Sequence, residues 1–255
     1  MVEAAFLQQL LPLITGAVGG ATSAGVFAGP IQTIQDLWYI YYGHKVSDKA
    51  DLMRKKHEVD VENFKHELLV NISKTPPENV QDPKLKILGP ALEASNFYIE
   101  EEELRQMFAK VIASSINKDR NALIHSSFVD IIKQIDVLDA NILKYIKSLC
   151  VAPNHPIPTL QQVTNIGDKE LINYPIIFFT EDLIEVYKNS ASLINLKRLG
   201  LIDINYSIQT LNDIDYKYLE SHLILDILKK NPNTTFKRTS ICLTTYGHNF
   251  LMCCV

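Results

Sequence analysis

The chain of 255 residues is long enough to bury a large core, and its 47% hydrophobic and 21% charged residues are typical of a globular protein. A net charge of −4 and an isoelectric point near 6.0 argue against a general polyanion binder, whose domain is normally basic. The four cysteines show no metal-binding spacing, which indicates reduced thiols in a cytosolic protein.

The first predicted element is an uncharged segment from Ala4 to Gln35, which contains five of the ten glycines of the chain. Small residues recur every four positions along it, and on a helix they form two adjacent columns. Such columns let helix backbones approach closely, as at the interfaces of membrane helices. The segment therefore predicts helices that pack against copies of themselves, into a membrane, or both. The predicted membrane and oligomerisation surface consists of Ile14, Gly16, Ala17, Val18, Gly20, Ala21, Ala24, Gly25, Phe27, Gly29, Trp38, Tyr39 and Tyr41.

The span of this segment is bounded by Pro12 and Pro30, which leave a helix of about 25 Å at about 1.5 Å per residue. That length is short for a hydrocarbon layer of roughly 30 Å and argues against a constitutive transmembrane anchor. No Lys or Arg precedes Lys45, which argues against a secretory signal. The aromatic run from Trp38 to Tyr42 is typical of a membrane interface. Two interpretations remain open: conditional insertion into a membrane, and a glycine-rich helical hairpin packed inside a soluble protein or oligomer.

Residues 1–43 are thus predicted to form the membrane-active or oligomerisation segment, and residues 44–150 a helical domain. In the helical domain, apolar spacing predicts one helix that stops at Thr75–Pro77 and another that begins at Pro83 with Leu85 facing inward. Glu100–Glu103 precede a third helix, where carboxylates interact favourably with the helix dipole. Later helices of this domain are predicted to be capped by Ser126 or Ser127 and by Asp136.

Residues 151–255 form the third predicted domain. It begins with a loop, and a helix then runs to about Arg198 and ends at Gly200. Two strands follow, Leu201–Ile204 and Thr239–Leu243. The loop is predicted from its prolines, Pro153, Pro156 and Pro158.

Between those strands, residues 212–231 have helical period and predict an insertion at the tip of the hairpin. Thr244 or Thr245 is predicted to cap a closing helix. The order helix, glycine, strand, return strand and short helix is that of a winged-helix-like unit with a small β-hairpin. The predicted fold class is therefore mainly α, with the apolar N-terminal segment, a central helical bundle and this C-terminal unit.

The chain lacks recognisable catalytic motifs. Its seven histidines show no zinc-hydrolase spacing, and there is no nucleophile elbow, phosphate-binding loop or dinucleotide fingerprint. His57-Glu58 and His66-Glu67 are interpreted as parts of a solvated charged face, and His125 as a capping or interface residue. The sequence predicts a protein that is not an enzyme and has no catalytic residue, cofactor or metal site.

A basic cluster near the hairpin tip is the candidate partner-binding site. The helix before Gly200 carries both acidic and basic residues, whereas a DNA reader neutralises many phosphates with Lys and Arg. This argues against nucleic acid as the partner, and winged-helix units also serve as protein-docking modules. The cluster consists of Lys229, Lys230, Lys237 and Arg238.

From about Asp82 onward the chain resembles the Abi-alpha family of bacterial abortive-infection proteins. The pieces that carry the resemblance, in order, are Leu88–Ala94, Glu100–Glu103 before Phe108-Ala109, His125–Val129, Ile132–Ile135, Leu138–Ala140, Asn195–Ile202, and Leu243-Thr244 with Gly247 and Phe250. The resemblance implies a cytoplasmic phage-defence protein that halts or kills the infected cell, and it carries no catalytic residues to this chain. The chain departs from the family at the 212–231 insertion.

The resemblance and the N-terminal segment lead to one working hypothesis. In this hypothesis the C-terminal body senses a phage component that is made during infection, and the protein then assembles as a homo-oligomer. The glycine-rich helices leave the cytoplasm for the inner membrane, pack through their small residues and permeabilise it. The protein would thus be cytoplasmic at rest and at the inner membrane when activated, acting as a pore-forming toxin.

The alternative hypothesis is a non-lytic winged-helix protein that blocks phage replication or assembly by binding nucleic acid or a phage protein. Its N-terminal hairpin would then serve only for oligomerisation. Dependence of protection on Lys229, Lys230, Lys237 and Arg238, rather than on the glycines, would favour this alternative.

Overall fold

The structure is a computed structural model that describes residues 29–34, 36–38, 41, 51–149, 152–167, 169–171, 176–177, 189–206, 216–217, 220 and 233–255. These residues are mainly helical, as predicted, and also contain an antiparallel sheet. The backbone divides into two compact units. The helical unit comprises Met1–Val137 and Met252–Val255, and the sheet unit comprises Leu138–Leu251.

The helical unit contains five described helices and two short 3-10 turns. Helix α1 includes residues 29–34 and 36–38. The other helices are α2 (Asp51–Ser73), α3 (Leu85–Tyr98), α4 (Glu102–Ile116) and α5 (Phe128–Ile132), and the turns are Pro77–Asn79 and Lys118–Arg120.

Helix α2 buries the apolar stripe that the sequence predicts. Phe64, Leu68 and Ile72 are each fully buried, because positions four residues apart lie on one face of a helix. The helix ends at Ser73, and the Thr75 amide donates to the Ile72 carbonyl at 2.9 Å before the two prolines. Proline lacks the amide that a further turn requires, so the predicted stop is confirmed.

Helix α3 differs from the prediction at its first residue. Leu88 and Leu92 are fully buried as expected, whereas Leu85 is 64% exposed. The inward face is centred on Ile87 and Ala91, which are also fully buried, so Leu85 falls at its margin. The prediction of an inward Leu85 was therefore wrong.

The sheet unit contains α6 (Val137–Ser148, whose first residue belongs to the helical unit) and α7 (Asn189–Arg198). Its strands are β1 (Pro156–Ile166), β2 (Lys169–Leu171), β3 (Ile176–Ile177), β4 (Ile202–Asn205) and β5 (Thr234–Leu243). The strand order is β2-β1-β5-β4, with β3 also paired to β1, and all pairs are antiparallel. The chain ends in α8 (Thr245–Cys254).

Strand β1 corrects the predicted proline-rich loop and the predicted small hairpin. It pairs with β5 over nine positions, from Pro156 opposite Cys242 to Thr164 opposite Thr234. Proline cannot donate to a ladder, but residues two apart direct their backbone groups to the same side. Pro156 and Pro158 can both face away from β5, where the described residues place no strand beside them. Proline is thus tolerated here as at a sheet edge.

One face of the sheet is apolar and contributes to the core. Ile157, Ile204 and Ile241 lie side by side across β1, β5 and β4, and each is at most 7% exposed. In the next row, the Thr159 and Thr239 hydroxyls are buried and lie 2.7 Å apart, so one of them donates a hydrogen bond to the other. Residues Thr239–Leu243 are all buried, so this end of β5 is covered on both faces.

The end of α7 and the start of α8 meet in a tight junction. Gly200 has a φ of +73°, its amide donates to Lys197, and the Leu201 amide donates to Leu196, which together form a Schellman motif. The Thr244 hydroxyl accepts from the Gly247 amide at 2.8 Å, so the predicted cap of α8 is confirmed. The Thr244 hydroxyl also donates to the Gly200 carbonyl at 2.6 Å, which ties the two helix ends together.

The predicted insertion does not simply extend from the hairpin tip. Its described residues 216, 217 and 220 are helical. Tyr216 is fully buried, and its hydroxyl donates to the Thr239 carbonyl of β5 at 2.8 Å. The insertion therefore contributes an aromatic side chain that packs against the sheet at mid-strand.

Candidate functional site

The described end of the uncharged segment is an amphipathic helix packed within the helical unit. Ile31 and Ile34 are 1% and 0% exposed, and Trp38 follows seven residues after Ile31 on the same helical face. The Trp38 ring stacks on the Phe64 ring of α2, with centroids 5.5 Å apart and an interplanar angle of 24°. On the opposite face, the Gln32 amide donates to the exposed Asp36 carboxylate at 3.1 Å. The segment thus ends in a helix that is anchored on one side.

Two further residues of the predicted membrane surface lie beside α3. A Cβ on Gly29 would be 3.4 Å from the Asp82 carboxylate, so the backbone of α1 comes close to the residues before α3. The Tyr41 hydroxyl lies 3.9 Å from the Cβ position of Gly89. The structure therefore places Gly29, Trp38 and Tyr41 in the helical unit. The other residues of that surface lie outside the described residues: Ile14, Gly16, Ala17, Val18, Gly20, Ala21, Ala24, Gly25, Phe27 and Tyr39.

A buried ion cluster lies on the α2 face that carries Phe64. Arg105 of α4 is 6% exposed, and its Nε and Nη2 atoms donate to the Glu67 carboxylate at 3.1–3.3 Å. Its Nη1 atom donates to the Ile99 carbonyl at 3.0 Å and lies 3.6 Å from Asp60 Oδ1. A two-pronged Arg–carboxylate contact is among the stronger charge-assisted interactions. The cluster therefore fixes α2 to α4 on either side of Phe64.

The sequence interpretation missed this cluster because it assigned Glu67 to a solvated face. The structure shows a carboxylate that is only 20% exposed and is paired with Arg105. The available signal was spacing: Asp60, Phe64 and Glu67 lie at i, i+4 and i+7, which places both carboxylates on the apolar face of the helix. A carboxylate at such a position requires a cationic partner, because a buried charge is costly unless it is paired.

The predicted basic cluster is described only in its β5 part. Lys237 pairs with Glu170 of β2. The Arg238 guanidinium pairs with Glu220 at 2.8 Å and lies 5.0 Å from the centroid of the Tyr216 ring. Both cations thus have carboxylate partners within the sheet unit, which reduces the positive potential that they offer to a phosphate backbone. Lys229 and Lys230 lie outside the described residues.

His125 lies at the start of α5. Its Nδ1 atom is 2.6 Å from the Ser127 hydroxyl and accepts from the Ser127 amide at 3.2 Å. The Ser127 side chain makes no capping bond of its own, so the imidazole takes the capping role that was predicted for serine.

Two of the pieces that carry the family resemblance meet inside the sheet unit. The Asn195 amide of α7 donates to the Asp139 carboxylate of α6 at 2.7 Å, and Asp139 is 2% exposed. The Arg198 guanidinium donates to the Asn195 carbonyl oxygen at 2.8 and 3.1 Å. Asn195 thus links a buried carboxylate to an exposed cation, and this arrangement joins α6 to α7.

The last residues of the chain pack in the helical unit. Cys253 and Cys254 are 1% and 0% exposed, and the Ser114 hydroxyl of α4 donates to the Cys253 carbonyl at 2.9 Å. Burial raises the pKa of the Cys253 thiol to about 11, although Arg120 and Lys84 nearby partly oppose that shift. Burial also raises the pKa of Cys242, with a further contribution from the Asp203 carboxylate. These thiols are therefore protonated and unreactive near neutral pH.

Two kinds of site are absent from the described part of the chain. None of its helices combines the length and the apolar composition that a membrane crossing requires. No three His, Cys, Asp or Glu side chains in that part are grouped so as to hold a metal ion.

Comparison with known proteins gives a family. A family model described as "Abortive infection alpha" matches residues 56–254. Neither a curated protein nor a solved structure matches the chain.

Proposed function

The chain belongs to the abortive infection alpha family, and from that premise we propose that it defends bacteria against phage by permeabilising the inner membrane of the infected cell. In this proposal, the N-terminal glycine-rich helices are the effector and the rest of the protein is the sensor. A phage component is the trigger, and assembly into a homo-oligomer presents many copies of the segment to the membrane. The protein acts without enzymatic chemistry, in the cytoplasm at rest and at the inner membrane when activated.

The observation that carries the proposal is the contrast within the N-terminal region. Residues from Ala4 to Gln35 carry no charge and repeat small side chains every four positions, a pattern suited to close helix packing in lipid. At the described end of the same region, Ile31 and Ile34 are buried and Trp38 stacks on Phe64 of α2. An effector that is both apolar and attached to a folded body can be held in place before infection. Release requires a trigger that binds the open state better than the closed state.

The C-terminal part supports a role in binding the trigger. Helix α7, the Gly200 turn, strands β4 and β5 and helix α8 follow one another in the order of a winged-helix-like unit. Such units dock on proteins as well as on nucleic acid. Because Lys237 and Arg238 are paired with Glu170 and Glu220, the sheet unit supports a protein partner better than a nucleic acid.

The test is the membrane potential of phage-infected cells that carry either the intact chain or a Gly20→Leu or Gly25→Leu variant. We expect depolarisation before lysis with the intact chain and none with the variants, because a Leu side chain would separate helices that pack through small residues. Ala122→Leu, at an exposed position of a turn, is the matched control and should behave as the intact chain. Protection of cells whose membrane stays polarised would contradict the proposal.

The alternative is the non-lytic binding protein. The observation in its favour is that α7, β4, β5 and α8 of the sheet unit follow one another in the winged-helix order. This alternative predicts that Gly20→Leu keeps protection, whereas charge reversal at Lys237 and Arg238 abolishes it. The same infection assay, with phage replication as the readout, separates the two.

A further inference from the structure

We infer that α1 is an autoinhibitory latch, in which Trp38 holds the uncharged segment to the helical unit by stacking on Phe64, while Ile31 and Ile34 are buried on the same face of α1. Arg105 is the positioning residue that keeps Phe64 in place. This inference rests on the proposed function, because it names the contact that keeps the effector inactive before infection.

The geometry of α1 is that of a docked amphipathic helix. Its three anchoring side chains lie on one face, within two turns, and two of them are completely removed from solvent. The opposite face carries Gln32 and Asp36, which bond to each other and are exposed. The anchored face therefore accounts for the attachment of α1. It lies at the C-terminal end of the uncharged segment, and Trp38 follows three residues after Gln35.

Phe64 is the platform for the latch. It is fully buried, and the Trp38 ring stacks on it with near-parallel planes. Asp60 and Glu67 lie one turn before and one turn after Phe64 on α2, and Arg105 contacts both carboxylates. The guanidinium therefore braces the turns on both sides of Phe64 against α4. A change that frees α2 from Arg105 would move the surface on which Trp38 rests.

The platform is also incompletely satisfied, which suits a contact that must open. Asp60 Oδ2 is buried and has no hydrogen-bond partner in the described part of the chain. Its other oxygen lies 3.6 Å from Arg105, beyond hydrogen-bond distance. A buried polar network with an unsatisfied member is stabilised less than a fully bonded one. The docked state is thus held by the stack of Trp38 on a platform that already carries an electrostatic cost.

Trp38 is the single tryptophan of the chain, so its fluorescence reports on the latch directly. The experiment uses the full chain and two readouts without any phage component: acrylamide quenching of Trp38, and dye leakage from vesicles of phosphatidylethanolamine and phosphatidylglycerol. We expect Ile34→Ala to increase quenching and to speed leakage about tenfold or more, since each loss of about 1.4 kcal/mol shifts an equilibrium tenfold. Gln32→Ala, on the exposed face of the same helix, is the control and should match the intact chain.

Three further variants keep the test decisive. Trp38→Leu removes the stack on Phe64 at a half-buried position. Leakage can therefore be measured with this variant if Ile34→Ala fails to fold. For the positioning role, Arg105→Gln should increase the acrylamide quenching of Trp38. Arg105→Lys should be quenched less than Arg105→Gln, because it keeps a positive charge next to both carboxylates. Equal quenching of Trp38 in the intact chain and in Arg105→Gln would overturn the role of Arg105.

The result for the latch can be separated from the result for the proposed function. If Ile34→Ala exposes Trp38 but leakage stays at the level of the intact chain, while Gly20→Leu abolishes depolarisation in cells, the latch is wrong and the proposed function stands. If Ile34→Ala causes leakage that a second change, Gly20→Leu, does not suppress, the segment is not the effector, and both proposals fail. Leakage that Gly20→Leu suppresses supports both.

Discussion

Two glycines, each within a described helix, show how the space around a residue decides the effect of a substitution. A Cβ on Gly247 would lie 1.9 Å from the Leu201 carbonyl oxygen, whereas a Cβ on Gly89 would have its nearest neighbour at 3.9 Å. Alanine stabilises a helix relative to glycine when the site is open. The two positions therefore respond in opposite directions to the same change.

We expect Gly247→Ala to destabilise the protein by about 1–3 kcal/mol, because α8 must move away from Leu201 and strain the junction at Gly200. Gly89→Ala is the matched control, expected to be neutral or to stabilise by up to about 1 kcal/mol. The measurement is the free energy of unfolding from urea denaturation. Similar values for the two variants would show that the close approach at Leu201 does not constrain α8.

The Cys253 thiol gives a prediction about pH. Its pKa rises from 9.0 to about 11 on folding, so between these values the folded state keeps a proton that the unfolded state has lost. Stability from this thiol is therefore present below pH 9 and falls as the pH rises toward 11. The difference in unfolding free energy between the intact chain and Cys253→Ala, measured across that range, should shrink as the pH increases. A difference that stays constant would contradict this linkage.

At the scale of elements, α2 and α4 are joined by both apolar packing and charge. Phe64 and Leu68 supply the buried area, while Arg105 connects the polar positions of the same face. The periodicity of α2 predicts the apolar part because it repeats at helical spacing. The charged part depends on the residue that α4 presents across the interface, and spacing within one helix does not contain that information.

Arg105→Leu should cost about 3–5 kcal/mol, because it leaves the carboxylates of Asp60 and Glu67 buried without a cation. Adding Asp60→Asn and Glu67→Gln to that variant should recover much of the loss, since the cluster then holds no unpaired carboxylate. As a control, Asp130→Ala breaks the exposed pair with Lys133 and should cost less than about 1 kcal/mol. Chemical denaturation measures the free energy of unfolding of all three variants. If Arg105→Leu is no less stable than the control Asp130→Ala, the cluster adds little to stability.

Strand β1 shows a limit of local pattern at the same scale. Its prolines are typical of a loop, and only the pairing with β5 reveals that both can lie with their nitrogens on an unpaired side. The other two predicted strands, which have no proline, are confirmed as β4 and β5, although β5 begins earlier, at Thr234. The long-range pairing with β5 therefore makes this segment a strand, although its sequence pattern alone predicts a loop.

For the whole molecule, the sequence predicted the family, the predominance of helices and the order of the elements after α7, because these follow from motifs and local spacing. It did not predict the contact of Trp38 with Phe64 or that of Tyr216 with Thr239. Each of these contacts joins residues that are at least twenty positions apart and have no shared motif. The candidate site was thus found in the sequence only as a segment, and its anchoring surface required the structure.

The buried residues of α1 also affect how the uncharged N-terminal segment should be deleted in an experiment. Deletion of Met1–Gly43 takes away Ile31, Ile34 and Trp38, whereas deletion of residues 1–28 leaves them. Burial of one Ile side chain contributes about 1.5–3 kcal/mol, so we expect the longer deletion to be less stable than the shorter one by about 3 kcal/mol or more. Urea denaturation of the two truncated proteins is the measurement. Equal stabilities would mean that α1 adds no net stability.

The burial of Val255 has a practical consequence for imaging this protein during infection. Val255 is 6% exposed, and Lys110 of α4 donates to its carbonyl oxygen, so a fluorescent protein fused there would have to displace a packed end. A small dye is the better reporter. Because Cys242, Cys253 and Cys254 are buried, a maleimide dye on an Ala122→Cys variant, with Cys150 replaced by serine, would label one exposed turn and leave the three buried thiols unmodified.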